Sequence, residues 1–237
     1  MWWWRPLSSF DEPLTHRGVG FLSAGELERY RRYLVPAAAQ TFLAARVFLR
    51  SILSAYSQLA PPEWCFDTNA WGRPYIANAG APTGLCFNLS HKPRFVTCLV
   101  GVGRDLGVDV EDASYGRAHL LDIASRFFSP SESEGLRALS AGDRMQRFYE
   151  LWTLKEAYIK ARGMGLSLGL ARFSFSVAGE TATVRFDSGF DDDQAAWDFR
   201  LFKACAPHLI STAVRRQARP LHIHMRDATG IVAHALA

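Results

Sequence analysis

The chain has 237 residues with 49% hydrophobic content, a mean hydropathy of -0.05, a net charge of +4 and a pI near 9.0, which bounds it to one large or two small globular domains with a sizeable core. Its longest apolar run, Phe95 to Gly103, has the length of a buried strand rather than a membrane span, and the Met-Trp-Trp-Trp-Arg-Pro start lacks the pattern of a secretory signal. The expectation is therefore a soluble, cytoplasmic protein that does not enter a membrane. The modest basic balance leans towards an anionic partner: nucleic acid, a phosphorylated small molecule or an acidic protein.

Residues 1–20 carry no steady period, and Val19 to Leu22 reads as an edge strand or the entry to a helix. Ser23-Ala-Gly-Glu26 has the form of a capping box and predicts a helix to about Leu34. Pro36 fits the first turn of a second helix, running to about Leu59 with Phe42, Ala45, Leu49, Leu53 and Tyr56 as its apolar stripe. Short extended pieces follow at Trp64–Asp67, Tyr75-Ile76 and Leu85–His91, with a turn at 69–74, then strong strands at Phe95–Val102 and Leu106–Glu111. Helices are expected at about 117–127, 131–139 and 143–162, and strands at 173–177, 183–186, 197–203 and 209–214. The Asp191-Asp192-Asp193 run reads as a loop, and the segment with His222 and His224 as a last strand. Cys65, Cys86, Cys98 and Cys205 form no Cys-x-x-Cys motif and read as buried, reduced thiols. The outline divides into two subdomains, 1–104 and 105–237.

Three stretches carry chemistry. In Trp152-Thr-Leu-Lys-Glu156-Ala-Tyr-Ile-Lys160, helical spacing puts Trp152, Glu156 and Lys160 on one stripe, beside Leu151, Lys155 and Ile159. That mixture suits a cleft, or a surface helix with a Glu–Lys pair. On the strand Gly107-Val-Asp109-Val-Glu111, alternation turns two carboxylates to one face, where a basic partner or a bound cation would relieve their repulsion; hard oxygen donors suit magnesium. Asn88-Leu-Ser90-His91 at a strand end offers amides, a hydroxyl and an imidazole that suit phosphate, or else a structural histidine.

In chain order, Gly-Arg-Pro at 72–74, Phe-Asn-Leu-Ser-His at 87–91, Gly-Val-Asp-Val-Glu at 107–111, Arg-Phe-Phe at 126–128 and the Trp152–Lys160 segment resemble the signature of the 4′-phosphopantetheinyl transferases. The likeness is to the larger, monomeric, surfactin-synthetase-activating class and covers about residues 20–178. It implies an α+β fold made of a pseudo-twofold pair of similar subdomains. It also implies transfer of the phosphopantetheine arm from coenzyme A to a serine of an apo carrier protein or domain in fatty-acid, polyketide or nonribosomal peptide synthesis, without nucleic acid. By the same resemblance Asp109, Glu111 and Glu156 hold magnesium, Glu156 is the candidate base, and Lys160 contacts the phosphates. Lys155 belongs to the same motif, Arg73, Ser90 and His91 grip the adenosine 3′-phosphate, and Arg46 contacts coenzyme A. An inactive relative that only binds coenzyme A or a carrier is the alternative; intact acids at 109, 111 and 156 argue against it. Trp152 is expected as a buried anchor, Phe127 and Phe128 as core, and the Trp2–Trp4 run has no assigned role.

Overall fold

A computed structural model describes residues 1–5, 12–114, 119–203, 205–218 and 220–237. Its elements are β1 (Trp2–Trp4), α1 (Glu12–Val19), α2 (Ala24–Arg31), α3 (Pro36–Ser54), β2 (Phe66–Thr68), β3 (Pro74–Ile76), β4 (Leu85–Lys92), β5 (Phe95–Val102), β6 (Leu106–Asp112), α4 (Leu120–Phe127), α5 (Pro130–Ala138), α6 (Ala141–Arg162), β7 (Phe173–Ala178), β8 (Thr181–Phe186), β9 (Trp197–Phe202), β10 (His208–Arg215), β11 (Arg226–Asp227) and α7 (Thr229–Leu236). The start of the helix expected from residue 117 falls partly outside the described residues. No helix among those described is long and apolar enough to cross a membrane. The chain divides into two α+β units, Met1–Asn69 with Pro74–Gly103 and His222–Ala237, and Ala70–Arg73 with Arg104–Leu221. This differs from a cut at 104 because the C-terminal segment returns to the first unit.

In the first unit the sheet order is β11-β1-β5-β4. The Trp run that had no assigned role is an inner strand: β1 pairs antiparallel with β5, Trp2 opposite Cys98, and parallel with β11. Alternation turns Trp2 and Trp4 into the core, where Trp4 stacks on Phe48 of α3, while Trp3 stacks on Phe95. Leu43, Val47, Phe48 and Ile52 of α3 and Val232 and Leu236 of α7 fill the same core. The capping box forms as expected, Ser23 Oγ accepting from Glu26 N and Ser23 N donating to Glu26 Oε2, but α2 ends at Arg31. Pro36 opens α3, which stops at Ser54. Around His222 and His224 the chain is irregular; the expected strand is reduced to β11, followed by the unexpected α7. Cys98 and Cys205 are buried as free thiols, burial pushing Cys98 up to about 12, whereas Cys65 is exposed, against expectation.

The second unit is an antiparallel five-stranded sheet, β6-β10-β9-β8-β7, with α6 and α5 packed against it and α4 against those two helices. Its core joins Leu154, Ala157 and Tyr158 of α6 to Phe173, Phe175, Trp197 and Phe199 of the strands. Trp152 is half-buried rather than buried; it stacks on Phe148 and meets Phe127 edge-on, with Phe128 in the core. The seat of α6 is set by Gly107, where a Cβ would stand 2.0 Å from Ala157 O and 2.5 Å from Ala161 N. Only a residue without a side chain lets helix and strand backbones come this close.

Candidate active site

Gly107, Asp109 and Glu111 share the face of β6 that meets α6, as strand alternation requires, and Val108 and Val110 point the other way. Ser211, opposite Asp109 on β10, donates its hydroxyl to Thr153 Oγ1 of α6 at 2.8 Å. Gly107 lies against Ala157 and Ala161 while the neighbour of Asp109 reaches Thr153, so α6 runs antiparallel to β6. Moving one turn back along α6 from Lys160 to Glu156 therefore moves forward along β6, from Gly107 towards Glu111. The two strand acids are 5% and 6% exposed, and Glu156 is half-buried.

Lys160 Nζ donates to Asp109 Oδ1 at 2.6 Å, with its side chain 28% exposed. A helical side chain leans towards the N-terminus of its helix, which is the direction Lys160 takes to reach the acid. Carboxylates this deeply buried require positive charge close by, and here Lys160 supplies it at Asp109. Among the described residues no group of three or more His, Cys, Asp or Glu side chains stands close enough to hold a metal ion as placed. The donor set of Asp109, Glu111 and Glu156 is nonetheless all carboxylate, without thiol or imidazole, and its chemistry fits a hard divalent cation.

Lys155 goes elsewhere. It is fully buried, donating to Leu170 O at 2.9 Å and Phe173 O at 2.5 Å and pairing with Glu132 Oε2 at 2.8 Å. Its ammonium also lies 4.5 Å from the Phe173 ring centroid. Burial draws its pKa below the ordinary lysine value, against the opposing pull of Glu132. The motif lysine is thus a core residue of the second unit and not a ligand contact, because its stripe mates Leu151 and Ile159 set that face inward.

Arg73 donates from Nη1 to Ala161 O at 2.6 Å and from Nη2 to Leu106 O at 3.0 Å, both within the second unit. In the first unit, Ser90 is buried and His91 exposed on β4, facing Thr97 and Val96 of β5, at the C-terminal end of the strand. Arg46 pairs through Nε with Glu26 Oε1 at 3.0 Å and lies over the Phe42 ring at 4.9 Å. Burial lowers its pKa despite Glu26. Arg50 holds the other Glu26 oxygen at 2.6 Å, so the cap of α2 is gripped by two arginines.

Residues 105–213 match the model of the 4′-phosphopantetheinyl transferase superfamily. The chain is 40% identical over 148 residues to the 4′-phosphopantetheinyl transferase HetI of Nostoc sp., covering 62% of this chain and 61% of HetI. It is 35% identical over 170 residues to the 4′-phosphopantetheinyl transferase Sfp of Bacillus subtilis, covering 72% and 71%. A phosphopantetheinyl transferase of Thraustochytrium sp. is 31% identical over 234 residues, covering 89% of this chain and 80% of that one. This chain belongs to the 4′-phosphopantetheinyl transferase family. Within the segment that matches the family model lie Asp109, Glu111, Glu156 and Lys160, together with the core pair Lys155–Glu132.

Two members of this transferase's architecture escaped sequence reading. Glu132 accepts from Phe175 N at 2.9 Å and caps α5 with Ser129; the Ser129-x-x-Glu132 capping box was the available signal. Asp192, inside an acidic loop run, accepts from Tyr158 Oη at 2.6 Å and Trp197 Nε1 at 2.9 Å and pairs with Arg162. Nothing local in the sequence distinguishes it from Asp191 or Asp193.

Proposed function

We propose that this transferase moves the 4′-phosphopantetheine group from coenzyme A to a serine of an apo carrier protein, releasing adenosine 3′,5′-bisphosphate, as a cytoplasmic, magnesium-dependent monomer. The observation that carries the reading is the seating of α6 on β6, with Lys160 Nζ 2.6 Å from Asp109 and Glu111 on the same face, inside the segment that matches the family. The serine oxygen bonds to the phosphorus that bears the pantetheine, the pyrophosphate P–O bond breaks, and the serine proton passes to a base. Glu156, half-buried and one turn from Lys160, is assigned as that base. Lys160 shifts from Asp109 to the pyrophosphate and stabilises the charge on the leaving phosphate. Asp109, Glu111 and Glu156 would hold magnesium, which when bound supplies charge neutralisation at the pyrophosphate.

Of the remaining residues, Ser90 and His91 are assigned to coenzyme A on the strength of their motif, and Arg46 more weakly, since Glu26 already engages its guanidinium. Lys155 has no part in binding, because its ammonium is fully committed inside the core. The test is to incubate the chain with coenzyme A, magnesium and purified apo carriers and to weigh the carriers. A gain equal to one phosphopantetheine is expected, and none across fatty-acid, polyketide and peptide carriers would sink the reading. Glu156→Gln is expected to reduce transfer by about 10²-fold or more with an unchanged melting temperature; wild-type turnover would remove Glu156 from the mechanism.

A further inference from the structure

We propose that Arg73 is a positioning residue that latches the last turn of α6 to the first residue of β6 and so sets the register of Glu156 and Lys160 against Asp109. The inference rests on the transfer reading above.

Arg73 bonds to two backbone carbonyls that ordinary secondary structure leaves open. Ala161 O belongs to the last turn of α6, where the final carbonyls have no partner in the helix and carry the negative end of its dipole. In that turn the Ile159 carbonyl is met by the helix stop, through Gly163 N at 2.9 Å with Gly163 left-handed. Leu106 O lies on the outer edge of the sheet: β6 is an end strand, and since Asp105 O accepts from Arg215 N, alternation turns Leu106 O away from β10. One planar guanidinium with donors on both terminal nitrogens suits two carbonyls on two elements, which a single ammonium does less well.

The placement makes this latch matter for chemistry. Ala161 follows Lys160 in the chain, and Leu106 is followed by Gly107, whose missing Cβ admits Ala157 and Ala161, and then by Asp109 two residues on. Arg73 therefore fixes the helix–strand contact immediately beside the Lys160–Asp109 pair. Misplacement of reacting groups by about 1 Å costs on the order of 10²-fold in rate. An arginine that held the 3′-phosphate instead would act on substrate affinity.

The two roles separate experimentally. In Arg73→Met, which keeps the aliphatic stem and removes the donors, kcat is expected to fall by about 10- to 100-fold, with the coenzyme A KM within about twofold and the same loss on 3′-dephospho-coenzyme A. The magnesium concentration for half-maximal rate should rise, and Arg73→Lys should recover part of kcat. Hydrogen exchange read on the folded protein should quicken at the amides of residues 159–163, independently of any activity. A loss confined to the coenzyme A KM and absent with 3′-dephospho-coenzyme A would overturn the latch in favour of a phosphate contact, and unchanged exchange at 159–163 would overturn it outright. If the wild type modifies no carrier, the transfer reading fails while the exchange measurement still decides the latch; if Arg73→Met does not fold, Arg73→Lys carries the same comparison.

Discussion

Gly107 sits where the helix that carries Glu156 and Lys160 meets the strand that carries Asp109 and Glu111, so adding one methyl group there tests the architecture of the site. In Gly107→Ala the new Cβ would meet Ala157 O at 2.0 Å and Ala161 N at 2.5 Å, both backbone atoms. Ordinary contact begins near 3.4 Å, and with no flexible side chain to give way, α6 and β6 must part by roughly 1.4 Å. Overpacking of this kind costs about 1–3 kcal/mol, and a clash with backbone on an otherwise buried helix belongs at the upper end. Replacing glycine returns up to about 1 kcal/mol through the unfolded state. A net loss of about 2 kcal/mol remains, equivalent to a melting temperature lower by about 4–8 °C for a chain of this size. The same displacement pulls Lys160 from Asp109, so turnover should fall by about 10²-fold in protein that is still folded at the assay temperature. The measurements are a thermal melt and a urea titration, paired with carrier modification at 20 °C. Wild-type stability together with wild-type turnover would refute the claim that the site depends on this contact.

Removing one partner of the buried Lys155–Glu132 pair leaves a charge in the core, so Lys155→Met should cost about 3–5 kcal/mol in urea unfolding, and the double variant with Glu132→Gln should recover part of it; a loss under about 1 kcal/mol in the single variant would contradict the burial assignment. For Asp192, burial alone would raise the pKa, but hydrogen bonds from Tyr158, Asp193 N and Trp197 and the charge of Arg162 outweigh it and hold the carboxyl below its ordinary value. Its contribution is therefore fully present above about pH 4 and is lost as pH falls through the lowered folded value. Asp192→Asn should give a flatter dependence of melting temperature on acid pH, the two curves converging at low pH, and parallel curves would rule the linkage out.

Local signals carried much of the fold. The capping box at Ser23, Pro36 at the head of α3, and the alternation of Phe95–Val102 and of the strands from Phe173 onward place elements within a few residues of where they form. What escaped depends on partners distant in the chain. Three tryptophans have no strand period to read, and β1 exists because β5, more than ninety residues on, offers a paired edge and α3 offers a core for Trp2 and Trp4. The irregular stretch at His222 and His224 is fixed from the other end of the chain, His224 O accepting from the Met1 amino group at 2.7 Å. In the site, the face shared by Asp109 and Glu111 and the stripe shared by Glu156 and Lys160 followed from periodicity. Arg73 did not, since a Gly-Arg-Pro turn says nothing about which carbonyls its guanidinium will find.

The two lysines of the Trp152–Lys160 motif separate by phase. Five residues at about 100° each place them some 140° apart around α6, so a helix that buries one presents the other beside the carboxylates. Lys155 then serves the far edge of the sheet: β7 is the end strand, and its outward Phe173 carbonyl is met by Lys155 and its outward Phe175 amide by Glu132. At the opposite end strand, β6, the outward Leu106 carbonyl is met by Arg73. Open strand edges are unsatisfied backbone, and here one outward carbonyl of each end strand is met by a long side chain that is also tied to α6, by sequence in the case of Lys155 and through Ala161 in the case of Arg73. The helix is consequently pinned at both margins of the sheet it crosses, with Gly107 setting its depth. Glu156 and Lys160, which lie between those pins, inherit a position that neither their own rotamers nor the pairing of Lys160 with Asp109 would fix alone.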